Sequence, residues 1–517
     1  MLGSDRNMPG SENSFMIFVK TSRCRVRIHM KIRFVAALAV LSLCTAGLAA
    51  ENRPASGPLR VLKGNPRWFT DGTGRAVYLA GSHTWQSLQD NGLLMREGSG
   101  NPPPVFDYPA YLDFLERRNH NFFRLWRWET TKWTDSYTGS AVKYCRPHPW
   151  LRAGPGPAGD GAPKFDLTRF DTEYFDRLRS RLQAAGDRGI YAAVMLFEGW
   201  EMQFTDGWQN HPFHEANNIN GIEADANGDG KGLEYNTLQD SPTGRRVLQL
   251  QEAYLRKVID TVNDLDNVLY EVCNEASPES TAWQYHVIRF VKEYESKKAR
   301  QHPVGMTFQY KGGTNSVLYE SPADWISPNP GEEARDYRVN PCSDCTTKVV
   351  VNDTDHLWGH TGGDNIWVWK SFTRGLNVLF MEELLPSPTW QDSARAAMGQ
   401  VRRYAGKVDL AAMTPQENLS ATRYCLAARG KEYLVFQSDK GEFNVDLRDA
   451  PGTFTVEWLD VNQDRLISGK PVQGEAQRTF TTPFPGPAVL HLKLSRRVSV
   501  ENATAGCGAA ATTLMCE

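Results

Sequence analysis

Between residues 57 and 413 the chain alternates short apolar runs with longer segments of helical periodicity. Apolar residues recur at i, i+3 and i+4 in segments 170–185 and 246–262, which predicts two amphipathic helices. The short apolar runs are typical of buried strands in a parallel sheet. The predicted strands are 76–80, 121–126, 190–197, 267–275, 303–308, 324–327, 349–351 and 378–381. Eight strands with intervening helices predict an α/β fold, a (β/α)8 TIM barrel, although the segments before the sixth and seventh strands show no clear helical pattern.

The periodicity changes after the barrel. From residue 422 short strand-like runs alternate with turns rich in Gly, Pro and Asp, which predicts a small all-β domain, an antiparallel sandwich, at 418–495. Residues 496–517 are rich in Ala and Thr and are predicted to be a flexible tail. The expected order is therefore a barrel at 57–413, a C-terminal sandwich and a tail.

The first 50 residues resemble an export leader. Two basic residues precede the apolar run 34–43, and small residues follow up to Ala50, near which cleavage is expected. The run is too short to span a membrane. Met30 lies just before these features and is the predicted true start. The signal is of the bacterial kind, so a secreted or periplasmic protein is expected; Cys44 could carry a lipid anchor, but the residue before it fits that motif poorly.

Composition narrows the possible partners. The formal net charge of the 517 residues is −2, which argues against a nucleic-acid partner. Tryptophan is abundant, with 15 residues, several of which fall near predicted strand ends. We expect a monomer without a membrane span. Export permits disulfides, and Cys342 and Cys345 are near enough in sequence to pair.

Polar and aromatic side chains follow the predicted strands, at the end of a barrel where active sites lie. The acids proposed for the chemistry are Glu275, which ends the fourth strand, and Asp353 and Asp355, which follow the seventh. A pair of carboxylates is the minimum equipment for breaking a glycosidic bond. Amides, acids and aromatic faces could bind a sugar. The candidate binding residues are His83, Trp85, Trp128, Glu129, Glu198, Trp200, Asn274, Tyr310, His356, Trp358 and Glu382.

The Asn274-Glu275 pair and the acid after the seventh strand resemble clan A of the glycoside hydrolases, the cellulase-like retaining enzymes. Segments 68–72 and 82–85 resemble a less characterised branch of that superfamily. Its members often carry a C-terminal sandwich named as a collagen-binding module, which residues 422–494 resemble. The resemblance covers about residues 57–495 and concerns fold and reaction class, not the substrate.

The resemblance implies roles for individual residues. Glu275 would be the general acid/base, Asn274 would bind the hydroxyl next to the scissile carbon, and the acid after the seventh strand would be the nucleophile. Clan A usually has Glu at that position, whereas this chain has Asp353 and Asp355. Asp353 is preferred because it directly follows the buried run, Asp355 shares its strand parity and stays open, and Glu382 is a third candidate.

The sequence thus predicts an exported enzyme, a glycoside hydrolase that cleaves O-glycosidic bonds in a poly- or oligosaccharide. The predicted mechanism uses two carboxylates with retention, and no cofactor or metal. Segment 225–230 begins like a calcium loop, but Asn236 stands at its twelfth position, so a hydrated loop is preferred. The alternative is a non-catalytic carbohydrate-binding or adhesion protein on a glycosidase-like barrel, because Asp replaces the usual Glu. The sugar, the linkage and endo or exo action remain open.

Overall fold

The computed structural model describes residues 53–91, 100–134, 142–204, 206–331, 335–344, 347–359, 362–382 and 391–495. The predicted leader and tail lie outside these ranges. Cys342 is disulfide-bonded, whereas its predicted partner Cys345 is not among the described residues. No described helix is long and apolar enough to cross a membrane.

Eight parallel strands form the central sheet. From β2 to β8 each strand pairs with the next one in sequence, and β8 pairs with β1. Asn121, just before β2, donates its backbone N–H to Ala80 O in β1 at 2.9 Å, so the barrel is nearly closed. The strands are β1 Ala80–His83, β2 Phe122–Leu125, β3 Tyr191–Glu198, β4 Val268–Asn274, β5 Val304–Thr307, β6 Trp325–Ser327, β7 Val349–Asp353 and β8 Asn377–Met381. The predicted fold class is confirmed.

Helices surround the sheet. Asp171 caps α2 by accepting the Glu173 N–H at 2.9 Å, and Ser241 caps α3 by accepting the Gly244 N–H at 2.9 Å. The helices are α1 Tyr108–Arg117, α2 Thr172–Asp187, α3 Pro242–Val262, α4 Thr281–Glu295, α5 Asn315–Glu320, α6 Thr354–Trp358, α7 Asn365–Thr373 and α8 Asp392–Lys407. The two crossovers without a helical pattern hold only the short α5 before β6 and, in the described part of the segment before β7, no α-helix.

The first barrel strand begins later than predicted. The apolar run 76–80 enters the barrel from below, where Val77 bridges to Phe69, and pairing with β8 begins only at Ala80. β1 itself is built from small and polar residues because it runs close to β2: a Cβ on Gly81 would lie 2.0 Å from Phe122 O. The apolar run 76–80 therefore corresponds to the segment that precedes β1, and not to the strand itself.

Several short antiparallel pairs extend from the barrel. One pair lies at its N-terminal entrance, and the others lie in the long connections between β1 and β2 and between β2 and β3. These strands are Arg60–Val61, Phe69–Thr70, Asp90–Asn91, Lys132–Trp133, Lys143–Arg146, Trp150–Pro157 and Pro163–Phe170.

The C-terminal antiparallel sheets lie against the barrel. Leu434 and Phe436 face the barrel core, and Phe436 stacks on Trp369 of α7 with ring centroids 6.3 Å apart. Tyr433 and Val435, on the opposite face, pack against the second sheet. The six-stranded sheet contains Thr414–Pro415, Cys425–Ala428, Glu432–Gln437, Ala488–Leu494, Thr453–Asp460 and Arg465–Gln473, in that spatial order; Glu442–Asp446 and Gln477–Thr481 form the second sheet.

Candidate active site

Glu275 occupies a strained position at the end of β4. Its φ is 44°, a left-handed conformation that is uncommon for a residue with a side chain. The backbone there is held by Gln203, whose Nε2 donates to Glu275 O at 2.8 Å. Strain of this kind persists where the surrounding structure imposes it and is often found at functional sites. The turn brings the Glu275 side chain to the wall of a pocket, where the residue is 7% exposed.

The pocket lies at the C-terminal end of the barrel and has a volume of about 290 Å³. Aromatic rings form much of its wall; Trp128 and Trp200, for example, meet edge to face with centroids 6.3 Å apart. Its floor carries amide and carboxyl groups. The lining residues are Trp85, Trp126, Trp128, Trp200, Phe204, Asn274, Glu275, Tyr310, Asp355 and Gly359. Such a wall offers flat apolar faces beside groups that can bind hydroxyls.

The two acids after β7 have different surroundings. Asp353 is fully buried, pairs with His83 Nε2 at 3.1 Å and caps α6 by accepting the Asp355 N–H at 3.0 Å. Burial alone would raise the pKa of Asp353, but His83 and Arg124 hold it below its usual range. Asp355 lines the pocket, and its pKa is raised by burial and by Asp353, against the opposing effect of Arg124. Asp355 is thus the acid of this pair that can reach a bound molecule.

Arg124 in β2 joins the polar floor together. Its NH1 donates to Asp353 at 3.2 Å and to Asp355 at 2.8 Å. Its Nε and NH2 donate to Glu271 at 2.8 and 2.6 Å, and NH2 also reaches Asn274 Oδ1 at 2.5 Å. A fixed guanidinium fork of this kind holds β2, β4 and the end of β7, which are not adjacent in the sheet, in one geometry.

The same corner contains a possible set of metal ligands. His83, Asp353 and Asp355 can bring ligand atoms within 4.8 Å of one another. Arg124, however, donates to both aspartates, so a buried cation already balances their charge. The donor set is therefore explained by an ion-pair network within the protein.

Glu275 has the electrostatics of a proton donor. Burial is the main cause that raises the pKa of Glu275 well above its usual value, and repulsion from Asp355 and Glu198 adds to it. Arg124 opposes this shift. A carboxyl whose raised pKa favours its protonated form, beside a second, pocket-facing acid, is the arrangement that acid catalysis requires.

The structure brings seven of the residues predicted from the sequence to the pocket wall. They are Trp85, Trp128, Trp200, Asn274, Glu275, Tyr310 and Asp355. Four residues outside the list of candidate site residues also carry the site: Arg124, Trp126, Phe204 and Gly359. Arg124 could have been found as a charged residue inside an otherwise apolar strand, whereas Phe204 lies in a long connection whose path the sequence does not indicate.

The other predicted binding residues do not line the pocket. His83 pairs with Asp353. Glu129 pairs with Arg127 at 3.0 Å, and Glu382 pairs with Arg395 at 2.7 Å. The remaining three have neighbours of their own: Glu198 accepts from Asn274, His356 contacts Ser327 Oγ at 2.6 Å, and Trp358 packs on Trp367 at 5.6 Å.

Comparisons with known proteins agree with the fold. Residues 108–321 match the model of a family described as a domain of unknown function, DUF6298. No curated protein matches the chain. Among solved structures, a family 5 glycoside hydrolase from Bacteroides vulgatus superposes with a TM-score of 0.54 at 12% identity, covering 86% of this chain and 95% of that one. A second glycoside hydrolase gives a TM-score of 0.53 at 11% identity, with coverages of 85% and 97%.

These structures share the barrel and the sandwich architecture with this chain, which therefore has a fold found in glycoside hydrolases. At such low identity the likeness concerns the fold alone. The finer resemblance to clan A and to the collagen-binding module stays a prediction.

Proposed function

We propose that the protein is an exported glycoside hydrolase that cleaves O-glycosidic bonds in a poly- or oligosaccharide with retention of configuration. One observation carries the proposal: Glu275 and Asp355, which follow β4 and β7, line the same tryptophan-walled pocket. The fold found in glycoside hydrolases is consistent with it. The export leader predicted from the sequence supports a secreted or periplasmic location.

The chemistry follows from the two acids. Glu275 gives its proton to the leaving oxygen while an Asp355 oxygen attacks the anomeric carbon, the glycosidic bond breaks and a glycosyl ester forms. Glu275, now ionised, takes a proton from water, which attacks the same carbon and releases Asp355. Asn274, on the pocket floor, would bind the hydroxyl next to the reacting carbon. The proposal needs no cofactor.

Asp355 replaces Asp353 as the preferred nucleophile. The sequence favoured Asp353 because it directly follows the buried run of β7, but that carboxyl is fully buried between His83 and Arg124. Asp355 stands two residues further on, is 5% exposed and lines the pocket. In this proposal Asp353 orients Asp355 through its backbone N–H and shares Arg124 with it.

A labelling experiment tests the proposal. The mature protein is screened against a panel of aryl glycosides, and the best substrate is remade as the 2-deoxy-2-fluoro glycosyl fluoride, which slows hydrolysis of a covalent intermediate. Peptide mass spectrometry is expected to find the sugar on Asp355. A label on Asp353 would reverse the assignment of the nucleophile, and an inverted product detected by NMR without any label would contradict retention.

The panel also tests the alternative, a non-catalytic carbohydrate-binding protein. Binding of glycans, measured by quenching of the pocket tryptophans, without cleavage of any panel member would favour that alternative over the enzyme.

A further inference from the structure

Three glutamates behind the pocket form a closed ring of hydrogen bonds. Glu198 accepts the backbone N–H of Glu201 at 3.0 Å, and Glu201 accepts the backbone N–H of Glu129 at 2.9 Å. Glu129 completes the ring by accepting the backbone N–H of Glu198 at 2.9 Å. All three side chains are fully buried. The ring joins the end of β3 to the segment after β2, so each carboxylate fixes the backbone that carries the next one.

One member of this carboxylate ring touches the candidate site. Glu198 and Asn274 are register partners at the ends of β3 and β4, and Asn274 Nδ2 donates to Glu198 Oε1 at 3.1 Å. The same oxygen accepts the Trp200 N–H at 2.9 Å. Trp200 lines the pocket, so Glu198 holds two elements of its wall without lining it.

Both polar atoms of the Asn274 amide, Oδ1 and Nδ2, have a partner whose role as donor or acceptor is fixed. Asn274 Oδ1 faces Arg124, which can only donate, and also lies 3.3 Å from His356 Nε2. Its Nδ2 faces Glu198 Oε1, which already accepts the Trp200 N–H and therefore acts as an acceptor. The amide thus has one orientation, and one hydrogen of Nδ2 is left for a molecule in the pocket.

We propose that Glu198 is the positioning residue that fixes the Asn274 amide, so that Asn274 donates to a substrate hydroxyl and cannot accept from it. This inference rests on the proposed function and specifies the direction of the hydrogen bond between Asn274 and the sugar. The recognised group is a hydroxyl that presents its oxygen lone pair to Asn274 while its own hydrogen points elsewhere.

The surroundings of Glu198 keep its carboxyl group in the accepting role. Burial and the neighbouring Glu201 raise the pKa of Glu198, whereas the N–H donors of Asn274, Trp200 and Glu201 oppose that shift. A proton on Glu198 would sit on the oxygen facing Glu201, since Oε1 has two donors directed at it. A glutamine at 198 keeps the shape of the side chain but must turn its NH2 group toward one of the three donors.

The first test observes Asn274 directly and does not depend on activity. The full mature chain is labelled with 15N-asparagine, and the Asn274 side-chain signals are assigned by their loss in Asn274→Asp. Glu198→Gln should shift these signals. The matched control is Glu382→Gln, which removes another fully buried rim carboxylate, paired with Arg395, and should leave them in place. Unshifted Asn274 signals in a folded Glu198→Gln protein would overturn the inference.

The second test measures the consequence for a substrate. The best aryl glycoside from the panel is compared with its 2-deoxy analogue. Glu198→Gln should lower kcat/KM for the hydroxylated substrate by about 10- to 100-fold, the range expected when one buried donor loses its acceptor, and have a much smaller effect on the deoxy substrate. Equal losses on both substrates would show a merely structural role and would overturn the inference. If the wild type cleaves no glycoside, the proposed function fails, and the Asn274 signals still decide whether Glu198 fixes the amide.

Discussion

Two clusters of acids in this protein, one buried at the pocket and one partly buried at an interface, differ in how their charge is balanced. At the pocket, Glu275 and Asp355 lie beside Asp353, Glu271 and the single guanidinium of Arg124. Between α8 and the six-stranded sheet, an interface cluster consists of Glu432, Glu457, His491, Lys407 and Lys493. There His491 Nε2 lies 2.8 Å from Glu432, Lys493 lies 3.0 Å from Glu432, and Lys407 pairs with Glu457.

The pKa values of the two pocket-lining acids, Glu275 and Asp355, are raised, whereas those of the two interface acids, Glu432 and Glu457, are lowered. Burial, Asp355 and Glu198 raise the pKa of Glu275. At the interface burial acts the same way, but the hydrogen bonds from His491 and the lysines prevail and lower the pKa of Glu432 and of Glu457 to about 2. A buried acid that is paired with enough cations stabilises the fold. A buried acid with too few cations is repelled by its neighbours, and the repulsion raises its pKa, as a proton donor requires. The comparison therefore contrasts two acids that line the pocket with two acids that pair with cations at the interface.

The largest expected effect is at the proposed nucleophile. Asp355→Asn should lower kcat by at least about 10⁴-fold, because the covalent intermediate cannot form. Added azide should restore turnover with an activated aryl glycoside and give a product of inverted configuration, as followed by NMR. Asp353→Asn is the matched comparison: it disturbs His83 and Arg124 but leaves the attacking group in place, so azide should not rescue it. Rescue of Asp353→Asn alone would reverse the two roles.

The next effect concerns the proton donor. Glu275→Gln should lower kcat by about 10²- to 10⁴-fold on a substrate with a poor leaving group and much less on a dinitrophenyl glycoside, which leaves without protonation. In the wild type, ionisation of Glu275 sets the alkaline limb of kcat/KM, and its raised pKa moves that limb above the usual value of about 4.3. Equal losses on both kinds of leaving group would contradict the assignment of Glu275 as the acid.

The sequence predicted the features of the pocket that depend on the periodicity of apolar residues. Barrel strands β2 to β8, and Glu275 at the end of the fourth, follow from apolar runs and from where they end, whereas β1 begins where its apolar run ends. The choice between Asp353 and Asp355 did not, because both share strand parity and the chain turns into α6 directly after Asp353. The preference for Asp355 rests on its place in the pocket lining, whereas Asp353 pairs with His83, which lies 270 positions away in the sequence. Periodicity cannot reveal contacts of that kind.

The interface cluster was invisible in the sequence for the same reason. Glu432 and His491 lie in separate strands of the predicted sandwich, and Lys407 lies in the last helix of the barrel. Only the packing of the sheet on α8 brings them together. Local patterns indicate elements, whereas charge balance arises from contacts between distant elements.

A smaller effect is expected at the interface cluster. Glu432→Gln should lower the free energy of unfolding by about 1.5–3 kcal/mol near pH 6, because it removes a charged acceptor from His491, Lys493 and the Asp409 N–H. Glu432 has a lowered pKa, so its contribution is present above its unfolded value of about 4.3 and is lost as the pH falls toward 2. Urea unfolding at several pH values measures this.

The control for that variant is Glu442→Gln, an exposed position on the second sheet, which should change stability by less than about 0.5 kcal/mol. A Glu432→Gln protein as stable as the wild type at pH 6 would show that the interface charges do not stabilise the packing of the sheet on the barrel. The activity on aryl glycosides should not change, since the cluster lies away from the pocket lining.

The smallest expected effect is a gain in stability on substitution of Glu275, opposite in sign to the loss expected for Glu432→Gln. It contrasts the two clusters most directly. The raised pKa of Glu275 means that the folded protein holds this proton more tightly than the unfolded chain does. Stability from this group is present below about pH 4.3 and is lost as the pH rises through the raised pKa, because the ionised side chain is buried among other acids. The substitution Glu275→Gln mimics the protonated form at every pH. It should therefore raise the Tm above neutral pH and leave it unchanged near pH 4, while exposed Glu279→Gln changes neither value. A lower Tm for Glu275→Gln at pH 8 would mean that Glu275 is a stabilising acid like Glu432, and the distinction between the clusters would fail.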